Sequence, residues 1–361
     1  MPVFTGSYTL DDVHFLLNPV CVQDTPVHIK EALIQSGKKH YSEMLSHESL
    51  PADDYVALFH EAMALNQERM AKQSLILAEQ IIATRPQGIT LVSLARAGTP
   101  VGVLLKHVLK RYFKTDAAHY SVSIIRDVGL DQNALRFILQ HHRPESLVFV
   151  DGWTGKGVIA RQLESSLADF AVSDGVVIPA ELYVLTDLSG SATIAASCED
   201  YLIPSSVLNS TVSGLVSRSV YDPHTAKADD FHGCVYYQQF AEQDLSGYFI
   251  ETMLDCVEHV WQRGELKRPM IDRQQLQRIS IALLQWLTEQ YGVSHANYIK
   301  PGIGEATRVL LRREARHLLL RDLNSEATRH LRWLAESKSI PITVFSELPY
   351  QAVALIKELQ L

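Results

Sequence analysis

The sequence predicts an α/β protein with a parallel sheet, on three observations. Short apolar runs alternate with stretches of helical period, each run ends in a polar or glycine-bearing loop, and Gly/Pro pairs punctuate the units. With 361 residues, 47% apolar and 20% charged, the chain can bury a large core and exceeds the usual size of one domain. Two domains are therefore expected, residues 1–268 and 269–361, the first with its core at about 85–200.

The elements follow in order. Tyr55 to Thr84 carries apolar residues at helical spacing behind Asp53 and Asp54, and Pro86 and Gly88 end it. Ile89 to Leu94 suits a buried strand, followed by the loop Ala95-Arg96-Ala97-Gly98-Thr99-Pro100 and a helix over Val101–Leu109. A second unit reads as strand Tyr120–Ile125, polar loop Arg126–Asp131 and helix Asn133–His141. The third is strand Leu147–Asp151, loop Gly152-Trp153-Thr154-Gly155-Lys156-Gly157 and helix Val158–Leu167. A fourth strand, Leu182–Thr186, ends at Asp187 before Ser189-Gly190-Ser191. Residues 200–250 show little periodicity. Gly264 to Pro269 reads as a linker, and beyond it come helix Gln274–Tyr291, helix Glu305–Arg313, strand His317–Leu320, helix Ser325–Ser337 and strand Ile342–Phe345.

Such a sheet places its site along the carboxyl ends of the strands. The third unit is suited to phosphate: its glycines let the backbone close round an anion, and the first N–H groups of the next helix point at it. One helix terminus contributes about 0.3–1 kcal/mol toward an exposed anion, so several donors, and a metal, are expected. Asp151 can accept from sugar hydroxyls, Thr154 offers a hydroxyl and Lys156 a cation. A triphosphate P-loop is excluded, because Gly152 precedes Gly155 by three and Gly157 follows Lys156 where Ser or Thr is needed. The dinucleotide spacing is absent as well. An ordinary glycine-rich turn stays open beside the phosphate reading.

Val148 to Gly157 resembles the phosphoribosyl pyrophosphate loop of type I phosphoribosyltransferases, and Ser93 to Gly98 is similar to their pyrophosphate loop. The resemblance implies a parallel-sheet phosphoribosyltransferase-like domain. Its catalytic residues would be Asp151, Arg96 and Asp187, with substrate held by Ala95, Ala97, Gly98, Thr99 and Gly152 to Gly157, and Asp151 meeting the substrate-bound Mg. The implied reaction transfers ribose 5-phosphate to a nitrogen nucleophile. Gly152 stands where that family carries a second acid.

Residues Ile299 to Arg308 and the elements after them resemble the Pelota-type RNA-binding fold, a smaller α/β/α domain whose helix opens with Gly-x-Asn-Glu-x-x-Lys. Gly302, Glu305 and Arg308 match, and Gly304 replaces the Asn. Arg312 and Arg313 add charge, which implies structured RNA as a partner. Residues 271–361 hold 12 Lys/Arg against 9 Asp/Glu, a net +3 that leaves −11 for residues 1–270. This two-domain arrangement is similar to bacterial proteins associated with tellurite resistance and stress.

Two competing classes remain. His232-Gly233-Cys234 and Cys198, near His224 and Asp229, could make a cysteine hydrolase. The chain could also be a non-catalytic ribose-phosphate or RNA sensor. Cys21, Cys198, Cys234 and Cys256 show no C-x-x-C pairing, so zinc and disulfides are not expected. Met1 to Asp12 lacks a basic-then-apolar leader and no apolar run reaches about 18 residues, so a cytoplasmic location without membrane contact is expected.

Overall fold

The structure is a computed structural model describing residues 3–224, 226–264 and 266–358. Met1, Pro2 and Glu265 of the expected linker lie outside the described residues.

The chain opens with β1 (His14–Leu16), β2 (Asn18–Pro19), α1 (Val27–Gln35) and the long α2 (Asp53–Thr84). It then alternates through β3 (Ile89–Ala95), α3 (Gly98–Tyr112), β4 (Ala117–Ile125), β5 (Gly129–Leu130), α4 (Gln132–Leu139), β6 (Leu147–Thr154), α5 (Val158–Asp174), β7 (Leu182–Asp187) and β8 (Ile194–Ser197). The sheet order is β1-β4-β3-β6-β7-β8, every neighbouring pair parallel, with β5 folded back antiparallel on β4. The expected α/β class with a mostly parallel sheet is thus observed. Buried apolar residues sit on both of its faces: Leu91, Val148 and Val150 pack with α2 and α3, while Val92, Leu94 and Phe149 pack with α4 and α5. Burial on both faces explains why these strands read as continuous apolar runs.

Residues 200–245 carry short turns of 3₁₀ helix and the two-residue β9 (Gly233–Cys234), which pairs with β2. The helix α6 (Ser246–Arg263), absent from the sequence reading, packs its Phe249, Met253 and Val257 into the core shared with α2 and α3.

The remaining elements are α7 (Arg273–Tyr291), β10 (Ile299–Pro301), α8 (Ile303–Arg312), β11 (Ala315–Leu320), α9 (Arg329–Ser337), β12 (Ile342–Val344) and β13 (Ala352–Ile356). Their sheet runs β10-β13-β11-β12, mixed in direction. Ile303, Ala306, Val309 and Leu310 of α8 join the same buried cluster as Leu75, Val101 and Val148. The start of α8 faces the carboxyl end of β6, with Gly304 beside Trp153 and Gly155 beside Pro301.

Most element ends differ from expectation by a few residues, and three differences are larger or bear on the site. Gly152, Trp153 and Thr154 belong to β6, paired through Trp153 with Thr186 and Thr154 with Asp187, so the loop proper is Gly155-Lys156-Gly157. The helix behind it runs to Asp174 and stops at Gly175, whose φ of +70° suits glycine. The strand β13 was not read at all, although its five residues are fully buried.

Candidate active site

Two cavities flank the carboxyl edge of the parallel sheet. One, of 460 Å³, brings Asp151, Trp153, Thr154 and the Gly155–Gly157 turn against Lys300, Glu305, Arg308 and Arg312. The phosphate-type loop and the Pelota-type helix, read as separate sites, therefore meet in one cleft. Asp151 accepts from the Gly152 N–H at 2.7 Å, and burial pushes its carboxyl up to about 6. The Arg308 guanidinium lies 4.4 Å from the centre of the Trp153 ring. A Cβ on Gly304 would stand 3.2 Å from that ring, which is the physical reason for glycine where the Pelota pattern has Asn. Lys156 donates to the carbonyls of Ala296 (2.6 Å) and Ile299 (2.9 Å), and burial pulls its ammonium down to about 7. Glu305 sits 3.5 Å from Lys300 and 3.7 Å from Arg308. Arg312 donates weakly to the carbonyls of Ser206, Val207 and Leu208.

The residues expected to complete a ribose site are engaged elsewhere. Asp187 does not line this cleft. It is 1% exposed and accepts from the N–H and hydroxyl of Ser189, the N–H of Ala192 and the hydroxyl of Thr154. Thr154 is bound in turn to the Ser189 and Ser191 hydroxyls. Gly157 has φ +73°, and a Cβ there would press on Ser191 at 2.7 Å. Arg96 pairs with Glu48 and donates to Asn209 Oδ1 and the Val216 carbonyl, so it lines the second cavity. Ala97 reaches the cleft, while Ala95 ends β3, Gly98 opens α3, and Thr99 is buried on Ser121. Gly152 gives no second acid. Gly302 precedes α8, whose Ile303 N–H donates to Asp200. Among the described residues no three His, Cys, Asp or Glu side chains gather as metal ligands.

The second cavity, of 750 Å³, lies between the segment around 27–55, residues 207–211 and the end of α8. His28, His47, Glu48, Arg96 and Arg218 line it, and Arg312 and Arg313 border both cavities.

The four cysteines are unpaired and differ sharply in setting. Cys234 is fully buried, which pushes its thiol up to about 12 and removes it as a nucleophile. Cys198 is exposed, yet partial burial and the adjoining Glu199 raise its thiol. Cys256, on α6, is raised mainly by burial. Cys21 is exposed, directly after β2, where the Val20 N–H donates to the Cys234 carbonyl. One residue on, the Val22 carbonyl accepts from His47 Nε2 at 2.8 Å, and the His47 N–H donates to Asp24 Oδ1 at 2.8 Å. Because a carbonyl can only accept, Nε2 carries the proton and Nδ1 is the basic nitrogen. Sequence reasoning missed this group, since nothing in the spacing of Cys21 and His47 marks it.

Residues 6–254 match the family described as tellurite-like stress resistance cysteine protease StiP, and residues 278–358 match the PELOTA RNA binding domain. A curated relative, the cysteine protease StiP of Acinetobacter baylyi, is 40% identical over 366 residues, covering 99% of this chain and 95% of that protein. These matches overturn the expected phosphoribosyltransferase activity and favour the cysteine-hydrolase alternative, in keeping with the internal ties of Asp187 and Arg96. The tellurite and stress association and the C-terminal Pelota-like domain are as expected. The chain belongs to the tellurite-like stress resistance cysteine protease StiP family and carries a PELOTA RNA-binding domain in its C-terminal part.

Proposed function

We propose that the chain is a cysteine peptidase whose nucleophile is Cys21 and whose general base is His47. The observation carrying this reading is local: Cys21 is an exposed thiol one residue from the carbonyl that orients His47, and His47 lines the 750 Å³ cavity. The Val22 carbonyl holds the His47 ring, as a third group orients the base in activated-nucleophile arrangements, while Asp24 fixes the His47 backbone. In the proposed reaction Nδ1 of His47 takes the thiol proton, sulfur attacks the peptide carbonyl carbon, and the proton passes to the departing amine. Water then hydrolyses the thioester. Free thiols among the described residues support a reducing, cytoplasmic setting, and no described helix is long and apolar enough to cross a membrane.

The test is hydrolysis of quenched fluorescent casein by single Cys→Ala variants, with mass-spectrometric mapping of iodoacetamide adducts. Cys21→Ala should lower the rate at least about 1,000-fold. Loss with Cys198→Ala instead would move the nucleophile, and full activity in every variant would remove a cysteine mechanism.

The match of residues 278–358 to an RNA-binding family favours RNA as a partner of the C-terminal part. Because Arg308 and Arg312 face the cleft, contact would use other cations, such as the exposed Arg316 and Arg329. RNA affinity that ignores their replacement by Gln across a salt series would refute this.

A further inference from the structure

The 460 Å³ cleft carries positive charge that its own acids do not balance. Of its six cations, Arg126 pairs with Asp127 at 3.0 Å and Arg313 with Glu31 at 2.6 Å. That leaves Lys156, Lys300, Arg308 and Arg312, from both halves of the chain, facing only Asp151 and Glu305. Glu305 serves two of them, and Lys156 and Arg312 bond only to backbone carbonyls. The Nε of Arg308 is buried with no hydrogen-bond partner. This excess of two positive charges stands in a chain of net charge −8.

We propose that this cleft is a binding site for a small molecule bearing a phosphate or diphosphate group, separate from the Cys21 centre and not a seat of group transfer. Guanidinium and ammonium groups converging from two sides match a multiply charged oxyanion, since each Arg offers a fixed fork of donors and each Lys a point charge. A cavity of 460 Å³ is of small-molecule size and too small for a nucleic-acid helix. A bound anion would also favour the charged forms of Lys156 and Arg312, offsetting the burial that pulls them down to about 7 and about 9. Arg312 and Arg313 border the 750 Å³ cavity lined by His47 as well, so the ligand would touch its wall.

The test is titration calorimetry on the full chain carrying Cys21→Ala, with inorganic pyrophosphate as probe. Peptidase failure and binding failure are then read separately. Saturable, salt-sensitive binding is expected, weakened about tenfold or more by Lys156→Gln, Lys300→Gln or Arg312→Gln. Arg136→Gln, whose exposed pair with Asp174 is remote from the cleft, should leave affinity within about twofold. Unfolding midpoints establish that each variant is folded, and Lys300→Gln serves where Arg312→Gln is not. No binding heat, affinity unchanged from the Cys21→Ala parent in all three cleft variants, or binding of citrate as tight as that of pyrophosphate would overturn the proposal. Displacement of pyrophosphate by single-stranded RNA would assign the cleft to a polymer and overturn it too.

Discussion

Replacing Asp187 with Asn separates a structural role from a ligand-binding one. The carboxylate is 1% exposed, and its two oxygens accept four hydrogen bonds, one of them from the Ala192 N–H at 2.9 Å on Oδ2 and another from the Ser189 N–H at 2.9 Å on Oδ1. An Asn amide has a single acceptor, so in either orientation one of those buried N–H groups faces an NH₂. Leaving a buried donor unsatisfied costs about 1–3 kcal/mol, and bonds to a charged acceptor are each worth about 1.5–3 kcal/mol. Part of the remainder survives on the amide oxygen. The expected loss is therefore about 3–5 kcal/mol, in the range seen for broken buried networks.

The assay is urea unfolding at pH 7.5, followed by circular dichroism and tryptophan fluorescence, with the slope compared between variant and parent. The Thr154 and Ser189 hydroxyls share Asp187 as an acceptor and both bond to the Ser191 hydroxyl, so exchange protection of the Gly155–Gly157 turn should fall as well. A change below about 1 kcal/mol together with lost function would refute the reasoning, since Asp187 would then be serving a ligand and not the fold.

Three further outcomes follow from the packing. Burial lowers the His119 imidazole to about 3, between Ser93 Oγ at 2.8 Å and the Asp12 carbonyl at 2.7 Å; its stabilisation is complete above the unfolded value near 6.5 and is lost as pH falls toward about 3, so urea midpoints should drop between pH 6.5 and 4 and drop less in His119→Gln. A Cβ on Gly102 would collide with Ser93 Oγ and the His119 ring, whereas one on Gly247 meets nothing within 4 Å, so Gly102→Ala should lose about 1–3 kcal/mol in thermal unfolding while Gly247→Ala is neutral or slightly stabilising. Asp200 holds the C-terminal sheet through Ile303 N (2.8 Å) and Gln351 N (2.7 Å), so Asp200→Ala should cost about 2–4 kcal/mol and speed hydrogen exchange in α8; unchanged exchange there would show that apolar packing alone fixes α8.

What could be read in the sequence, and what could not, divides along the range of the interactions. The strands β3, β6 and β7 are buried on both faces, so their composition announces them without knowledge of their partners. The strands β1, β2 and β9 have two or three residues each and exist only because of their pairing, which joins Asn18 to Gly233 across more than 200 positions. The same division governs the sites. Lys156 and Asp151 were legible as charged groups at a strand end, but their surroundings were not: Arg308, more than 150 residues on, stacks on Trp153, and Lys300 and Glu305 complete the wall. The loop resembles a phosphate cradle, yet the family match overturns the reaction that resemblance implies, because backbone cradles carry no information about which chemistry uses them. Cys21 was illegible for the opposite reason. The segments carrying Cys21 and His47 are joined by the Asp24–Leu45 bridge, the Thr25 N–H to Leu45 carbonyl bond and the His47 Nε2 to Val22 carbonyl bond, contacts with no period and no motif. On the proposed reading the conspicuous glycine loop marks a place where an anion can sit. The reacting sulfur, on the proposed reading, lies in a segment of Val, Gln, Asp and Thr that no pattern singles out; exposure separates it from Cys234 and Cys256, and the carbonyl of Val22 with a histidine brought from residue 47 separates it from Cys198, which is also exposed.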